Sequence, residues 1–330
     1  MRIGITGANG FIGSHLLRSA VSQGHRPVAL IQTGSSLRPI EDLEGSYERI
    51  DGDLLDNASL DSFVSQCDVL FHLAGFNRYW APNDDVFRLV NLVGVTKVAE
   101  AALKHKLLRV VHASSCITLG ASSEPTPRTE EASYNLQKLN FLYGETKLAG
   151  ENEMMKWAKE KGLPVVIVNP TSAIGEMDFG PTPIGKPIQD IARGMWPVYV
   201  AGGACFIDIH DVVRALWLAL EHGRIGERYV LAGENLSNRE FMTLITECAG
   251  VARPRFRVPS PVLTMTAHIA EWTANHVTHK HPPLTPGMNG LIGKFLYFDG
   301  AKAEKDLGFK AGPARPAIER CVKWFREQAS

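Results

Sequence analysis

The chain has 330 residues, 45% hydrophobic and 21% charged, an ordinary composition for a globular protein large enough to bury a full α/β core. Lys plus Arg and Asp plus Glu are equal at 35 each, so net charge offers no case for nucleic acid or an anionic membrane surface as a main partner. The five cysteines, Cys67, Cys116, Cys205, Cys248 and Cys321, are odd in number and never spaced CxxC; a disulfide framework or zinc site is not expected, and a reducing, cytoplasmic setting is. No apolar run reaches the roughly 18–20 residues of a membrane span, and MRIGITG reads directly as strand and turn rather than as a leader.

In chain order, Arg2–Thr6 is a short β-branched run, and Gly13–Gln23 has helical spacing through Leu16, Leu17, Ala20 and Val21. Pro27–Ile31 and Tyr47–Asp51 follow as strands. Val69–Leu73 and Val110–Ser114 are apolar enough for central parallel strands. Asp84–Leu103 and Leu142–Lys161 are long amphipathic helices, and Pro164–Val168 is another buried strand. This alternation predicts an α/β Rossmann fold, a doubly wound parallel sheet with right-handed crossovers. After Pro170 the pattern changes to Gly- and Pro-rich sequence, then a strand and helix over Cys205–His222 and a strand at Arg228–Ala232. A helix over Ser237–Ala249 opens on the capping box of Ser237 and Glu240. The expected division is a dinucleotide domain of residues 1–170 and 202–232, and a smaller, discontinuous substrate domain of 171–201 and 233–330.

The segment ITGANGFIGSHLL spaces Gly7, Gly10 and Gly13 as GxxGxxG between a strand and a helix. Glycines there permit a tight turn, close backbone approach to a pyrophosphate and close helix–strand packing, with the helix N-terminus facing the phosphates. Gly7, Asn9, Gly10, Phe11, Ile12 and Gly13 are therefore candidate cofactor contacts. At the end of the second strand an acid would select NAD by binding the ribose 2′-hydroxyl. Here Gln32, Thr33, Gly34, Ser35 and Ser36 stand instead, followed by Arg38. Hydroxyls and one guanidinium suit a 2′-phosphate, so Thr33, Ser36 and Arg38 are expected to favour NADP(H), with NAD(H) as the alternative.

YGETK (143–147) puts Tyr143 and Lys147 on one helix face at i, i+4. A nearby ammonium favours the phenolate and would bring the tyrosine toward acid–base work. Ser115, ending the strand VVHASS, is placed to hydrogen-bond a substrate oxygen.

With these pieces in hand, the chain resembles the extended short-chain dehydrogenase/reductases, in the group of dihydroflavonol-4-reductase-like, 3β-hydroxysteroid-dehydrogenase-like and sugar-epimerase-like proteins. The resemblance is carried by TGANGFIGSHL (6–16), DGDLLD (51–56), FHLAG (71–75), NLVGVTKV (91–98), VHASSCITLG (111–120), YGETK (143–147) and VNPTSAIG (168–175). It implies that Asp53 and Leu54 contact the adenine, and that Leu73, Ala74 and Gly75 line the cofactor near its ribose and phosphates. It further implies that Asn91 supports the active site, that Ser115 polarises the carbonyl, and that Tyr143 transfers the proton. Lys147 would hold the nicotinamide ribose and Pro170 would sit beside the nicotinamide, whose pro-S hydride is transferred. Thr146 stands where the family most often has Ser. Relatives are often dimers through two helices, matching 84–103 and 142–161 here, but monomers also occur, so the resemblance admits a homodimer and leaves the oligomeric state open.

Two enzyme readings follow. The first is an NADP(H)-dependent reductase or dehydrogenase acting on a fairly hydrophobic ketone, aldehyde or secondary alcohol. The second is an NAD-dependent nucleotide-sugar epimerase or dehydratase. Sugar-nucleotide members carry an Arg in a segment like RDYIHVxD to grip the diphosphate; the matching segment here, ACFIDIHD (204–211), has Cys205 or Phe206 in its place. Phe76, Tyr79, Trp80, Cys116, Phe179 and Phe206 are candidate substrate contacts. Tyr134, Leu139, Phe141, Met177, Trp196, Tyr199, Met265 and Trp272 supply further apolar surface on the substrate side. Both readings outrank a non-catalytic dinucleotide sensor, since Tyr143 and Lys147 are present. His276, His279 and His281 lack a well-spaced ligand set, so no metal is expected. Residues 270–290 are a candidate mobile flap.

Overall fold

The structure, a computed structural model, describes residues 1–195, 197–279, 282 and 285–328. Its strands are β1 (Ile3–Thr6), β2 (Val28–Ile31), β3 (Glu48–Asp51), β4 (Val69–His72), β5 (Arg109–Ala113), β6 (Val165–Pro170), β7 (Ser172–Ile174), β8 (Val198–Tyr199), β9 (Gly203–Asp208), β10 (Arg228–Leu231), β11 (Glu234–Ser237), β12 (Phe256–Arg257) and β13 (Phe295–Leu296). The helices are α1 (Phe11–Ser22), α2 (Asn57–Val64), α3 (Asp85–Arg88), α4 (Val95–Lys104), α5 (Leu142–Lys161), α6 (Gly185–Ala192), α7 (Ile209–His222), α8 (Asn238–Ala249), α9 (Ser260–Thr273), α10 (Pro286–Asn289), α11 (Ala301–Leu307) and α12 (Arg315–Glu327).

Seven parallel strands form one sheet in the order β10-β6-β5-β4-β1-β2-β3. Strands such as Ile3–Thr6, Val28–Ile31 and Val165–Pro170 are buried at every position, because helices cover both faces. On one face Leu16 and Leu17 of α1 and Val212 and Leu216 of α7 pack against the sheet. On the other, Phe63 of α2, Val98 of α4 and Met154 of α5 do so. The chain leaves β1 toward β2 on one side and returns through β4 on the other. This reversal opens a crevice at the carboxyl ends of β1 and β4, where α/β sheets bind ligands.

A smaller lobe is built on β9, which pairs with β7, β11 and β13. Its core sets Phe206 flat on Phe241 at 3.9 Å and adds Ile318 and Phe325 of α12. The capping box forms as the sequence predicts: Ser237 and Glu240 bond reciprocally at the start of α8. The helix expected over 84–103 is interrupted. Leu89–Gly94 makes a π-helical turn between α3 and α4, the kind of local widening that often marks a functional site.

Candidate active site

The glycine-rich turn is sterically committed. Gly7 has φ +70°, and a Cβ on it would lie 2.7 Å from the Ala74 nitrogen. A Cβ on Gly13 would lie 1.9 Å from the Gly7 oxygen. Helix α1 starts at Gly10 with no side-chain cap, so its first N–H groups and the positive end of its dipole are left for an anion. The turn opens on a cleft of about 440 Å³ whose walls include Gly7, Asn9, Gly10, Asp53, Leu54 and Leu73 to Phe76. The donors and the shape fit a dinucleotide laid across the sheet's reversal.

Ser35, one of the hydroxyls read from the sequence, lines the cleft with Gln32; Val86 and Val90, which the sequence reading did not single out, line it as well. Gln32 donates to Asp53 Oδ2 at 3.0 Å, and Asn9 donates to Ser35 Oγ at 2.9 Å and to the Ser36 carbonyl at 3.0 Å. Ser36 thus meets Asn9 through its backbone, while exposed Thr33 does not line the cleft. Phe11, Ile12 and Gly13 serve as the opening turn of α1 rather than as side-chain walls. Arg38 is turned away. Its guanidinium lies 4.9 Å from the Phe179 ring centre and donates to Gln328 Oε1 at 2.6 Å. The chain bends into a 3₁₀ turn at Arg38–Leu43, which aims this side chain at α12 and away from the cleft.

The proposed catalytic groups converge at the ends of β5 and α5. Tyr143 is buried, with Tyr79 and Phe141 ring centres 5.4 and 5.8 Å away. Burial pushes its phenol up to about 12, partly offset by a hydrogen bond with Ser115 and reinforced by the Cys116 thiol. Lys147, one turn on, donates to the Ala113 carbonyl at 2.9 Å. Burial pulls its ammonium down to about 8, opposed by Glu151. Burial is the largest influence on Tyr143 and favours the protonated phenol.

Asn91 sits in the π-helical turn and holds two segments together. It accepts from the Phe76 backbone N–H at 2.8 Å and donates to the Phe76 carbonyl and Thr146 Oγ1, each at 3.2 Å. Thr146 in turn bonds the Leu142 carbonyl at 2.7 Å, so the Thr in place of Ser keeps the connecting hydroxyl. Pro170 ends β6, the strand next to β5.

Glu151, four residues after Lys147, escaped sequence reasoning. It is 1% exposed and accepts from Asn169 at 2.7 Å, Thr118 at 2.9 Å and the Ser114 hydroxyl, and it pairs with Arg228 at 2.7 Å. An acid at i+4 on a buried helix face was the available signal.

Of the proposed substrate contacts, Phe76 and Tyr79 pack with Tyr134, Leu139, Phe141 and Tyr143 in one cluster. Cys116 borders it, beside Ser115. Trp80 donates to Asn275 Oδ1 at 2.9 Å. Phe179 instead packs edge-on against Trp324 at 5.1 Å, and Phe206 is buried against Phe241 in the small lobe's core. Phe206 belongs to that core rather than to Tyr143's cluster, because β9 is covered on both faces and its side chains from Ala204 to Ile207 are buried. Met265 and Trp272 are exposed. Trp196 and His281 lie outside the described residues.

Ligand atoms of His15, Glu176 and His210 lie within 4.8 Å of one another. Arg320 bonds Glu176 Oε2 at 3.0 Å and His210 bonds Oε1 at 2.8 Å. An ion-pair clasp among α1, α7 and α12 accounts for this group.

Residues 3–232 match the NAD dependent epimerase/dehydratase family. The chain belongs to that family. It is thus an enzyme of the extended short-chain dehydrogenase/reductase type, whose family is NAD(P)-dependent. It is 29% identical to a putative dihydroflavonol 4-reductase of Synechocystis over 98% of this chain and 94% of that protein. It is also 29% identical to the sterol demethylase protein B of Methylococcus capsulatus over 98% of both. Among solved structures, that of gox2253 superposes with a TM-score of 0.86 at 32% identity, over 99% of this chain and 98% of that one. Among the described residues no helix is long and apolar enough to cross a membrane.

Proposed function

We propose that this enzyme is an NADP(H)-dependent reductase that converts a hydrophobic ketone or aldehyde to the alcohol, or runs the reverse reaction. The observation that carries this reading is the environment of Tyr143: a phenol kept protonated by burial, with Ser115 acting against that shift, and walled by Tyr79 and Phe141. A carbonyl oxygen accepting from both hydroxyls would be polarised in an apolar, water-poor setting. When bound, the nicotinamide supplies or accepts the hydride. Tyr143 donates its phenolic proton to the oxygen that becomes the alcohol. Ser115 holds that oxygen, Lys147 binds the ribose, and Asn91 fixes the Phe76 backbone and the Thr146 turn around them.

Relatives named as a dihydroflavonol reductase and a sterol demethylase component support a large, apolar substrate. The absence of an arginine at Cys205 and Phe206 supports the same reading over a nucleotide-sugar substrate, since both side chains are buried and neither offers a diphosphate partner. The preference for NADP(H) rests on the acid-free end of β2 and on Ser35 beside Asn9; Arg38 contributes nothing to it in the observed geometry.

The test is Tyr143→Phe assayed with NADPH against steroid, flavonoid and aliphatic ketones. Turnover should fall by at least about 100-fold, the span of a lost general acid, with NADPH affinity retained. Undiminished turnover would remove Tyr143 from the mechanism. Tight binding of NADH with rejection of NADPH would point back to the epimerase or dehydratase chemistry.

A further inference from the structure

Helix α9 is apolar on two opposite sides. Ala267 is buried toward the protein, together with Ala274 just beyond the helix. At 3.6 residues per turn, Val262, Met265, Ile269 and Trp272 share the other side. These four are 46–60% exposed, and Phe256 upstream and Val277 downstream are 62% and 61% exposed. The outward stripe presents on the order of 400–500 Å² of apolar surface, at the upper end of what a soluble monomer leaves in one patch.

Charge is as unevenly distributed as hydrophobicity. Between Glu247 and Glu271 the chain carries Arg253, Arg255 and Arg257 and no acidic residue. Arg253 pairs with Glu247 at 2.8 Å. Arg255 and Arg257 are exposed and make no ion pair among the described residues. The whole chain is neutral, but this segment is not.

We propose that α9, with the arginines preceding it, docks the enzyme on the surface of an anionic lipid bilayer. The occupant of this face must be apolar along the Val262–Trp272 stripe and negatively charged beside Arg255 and Arg257, and the headgroup boundary of such a bilayer is both. A second copy of this chain offers a matching apolar stripe but not the negative charge. A two-fold contact would bring the unpaired arginines of two copies together, and the stripe falls short of the ~800 Å² per partner that a stable dimer buries.

The docking face adjoins the catalytic cluster. Asn275 accepts from Trp80, and Trp80 follows Tyr79, whose ring lies 5.4 Å from that of Tyr143. An apolar substrate dissolved in the bilayer would therefore enter beside the segment that walls the active site. This last step rests on the reductase reading; docking itself does not.

The experiment is co-sedimentation of the full chain with vesicles of phosphatidylcholine, with and without phosphatidylserine. Wild type should pellet with the phosphatidylserine vesicles, release in high salt, and stay in solution with phosphatidylcholine alone. Ile269→Asp with Trp272→Asp should abolish pelleting. Arg255→Gln with Arg257→Gln should weaken it about 30-fold, the effect of two basic residues near an anionic surface. NADPH binding should be unchanged in all variants, which shows that they are folded. Failure of wild type to pellet, or equal pelleting of the aspartate variants, would overturn docking. So would a wild-type dimer in solution that the aspartate pair dissolves, which would assign the stripe to a second copy. Because the assay contains no turnover, pelleting by an enzyme inactive on every ketone would refute only the reductase reading.

Discussion

Replacing Glu151 by Gln tests whether a buried charge one turn away governs the ionisation of Lys147. The carboxylate is 1% exposed; one oxygen pairs with Arg228 at 2.7 Å, and the other accepts from Asn169, Thr118 and Ser114. A glutamine keeps one acceptor and places an NH₂ against donors on the other side. Breaking a buried pair costs about 3–5 kcal/mol, and the lower end applies because the Arg228 side chain keeps 24% exposure and its bond to the Glu130 carbonyl. A loss of about 3 kcal/mol in urea unfolding is expected. The second consequence is electrostatic. Burial has pulled Lys147 down to about 8 while Glu151 raises it, so without that charge the ammonium must titrate lower still. Any step requiring protonated Lys147 survives below its pKa and fails above it. The alkaline limb of kcat/KM, and of NADPH affinity followed by fluorescence, should move to lower pH, with about tenfold weaker affinity at pH 8. An unchanged pH profile together with a stability loss below about 1 kcal/mol would refute the coupling, since a guanidinium that has lost its carboxylate and an unopposed lysine cannot both be silent.

Arg38→Ala should leave NADPH affinity within about twofold of wild type, because the guanidinium packs on Phe179 and Gln328 and such exposed contacts are worth little; a tenfold loss specific to NADPH would show that it swings into the cleft. Gly13→Ala should cost about 1–3 kcal/mol of stability and most of the dinucleotide affinity, since the added methyl meets the Gly7 carbonyl; calorimetric binding equal to wild type would contradict the packing. Stability should fall on acidification. Burial pulls His15 down to about 4 and His72 to about 3, and His112 well below its usual value. Below about pH 6.5 the unfolded chain takes up protons at these sites while the folded chain does not, so the loss begins there and approaches about 4 kcal/mol per pH unit before His15 titrates. A stability constant from pH 7 to 5 would show that these histidines are not held neutral.

What the sequence revealed, and what it hid, divides by range. The strand–turn–helix around Gly7–Gly13 is local, and its glycines are required by contacts a few residues away, so the pattern was legible. The same holds for Ser237 and Glu240. Asn91 was recognised through resemblance, but not its setting: apolar spacing runs smoothly through 84–103, and the π-helical turn arises from packing against α5, which no periodicity records. Arg38 shows the opposite failure. Its nearness in sequence to the end of β2 suggested a phosphate contact, whereas a 3₁₀ turn sets its direction. Phe206 was named as a substrate contact because its segment matches the one that carries the substrate-gripping Arg in sugar-nucleotide relatives; the partners of β9, namely β7, β11 and β13, have four residues or fewer and come from distant segments, so the burial of both faces of β9 could not be foreseen.

The site's electrostatics bear on the direction of the chemistry. Burial acts on Tyr143 and Lys147 in the same sense, toward the uncharged form: the phenol is pushed up to about 12 and the ammonium down to about 8. A protonated phenol is ready to give a proton to an alkoxide, which is the demand of ketone reduction. Alcohol oxidation demands the phenolate, and in this geometry Ser115 alone favours it, since Lys147 is engaged at the Ala113 carbonyl. Oxidation would then depend on positive charge brought by the oxidised nicotinamide, whereas the proton for reduction is already on the phenol and only the hydride must come from the reduced cofactor. The same enclosure that neutralises these groups also makes Glu151 effective at a distance, because little water remains to screen it. The reductive reading and the coupling of Glu151 to Lys147 thus stem from one physical cause, the exclusion of water at the junction of β5 and α5.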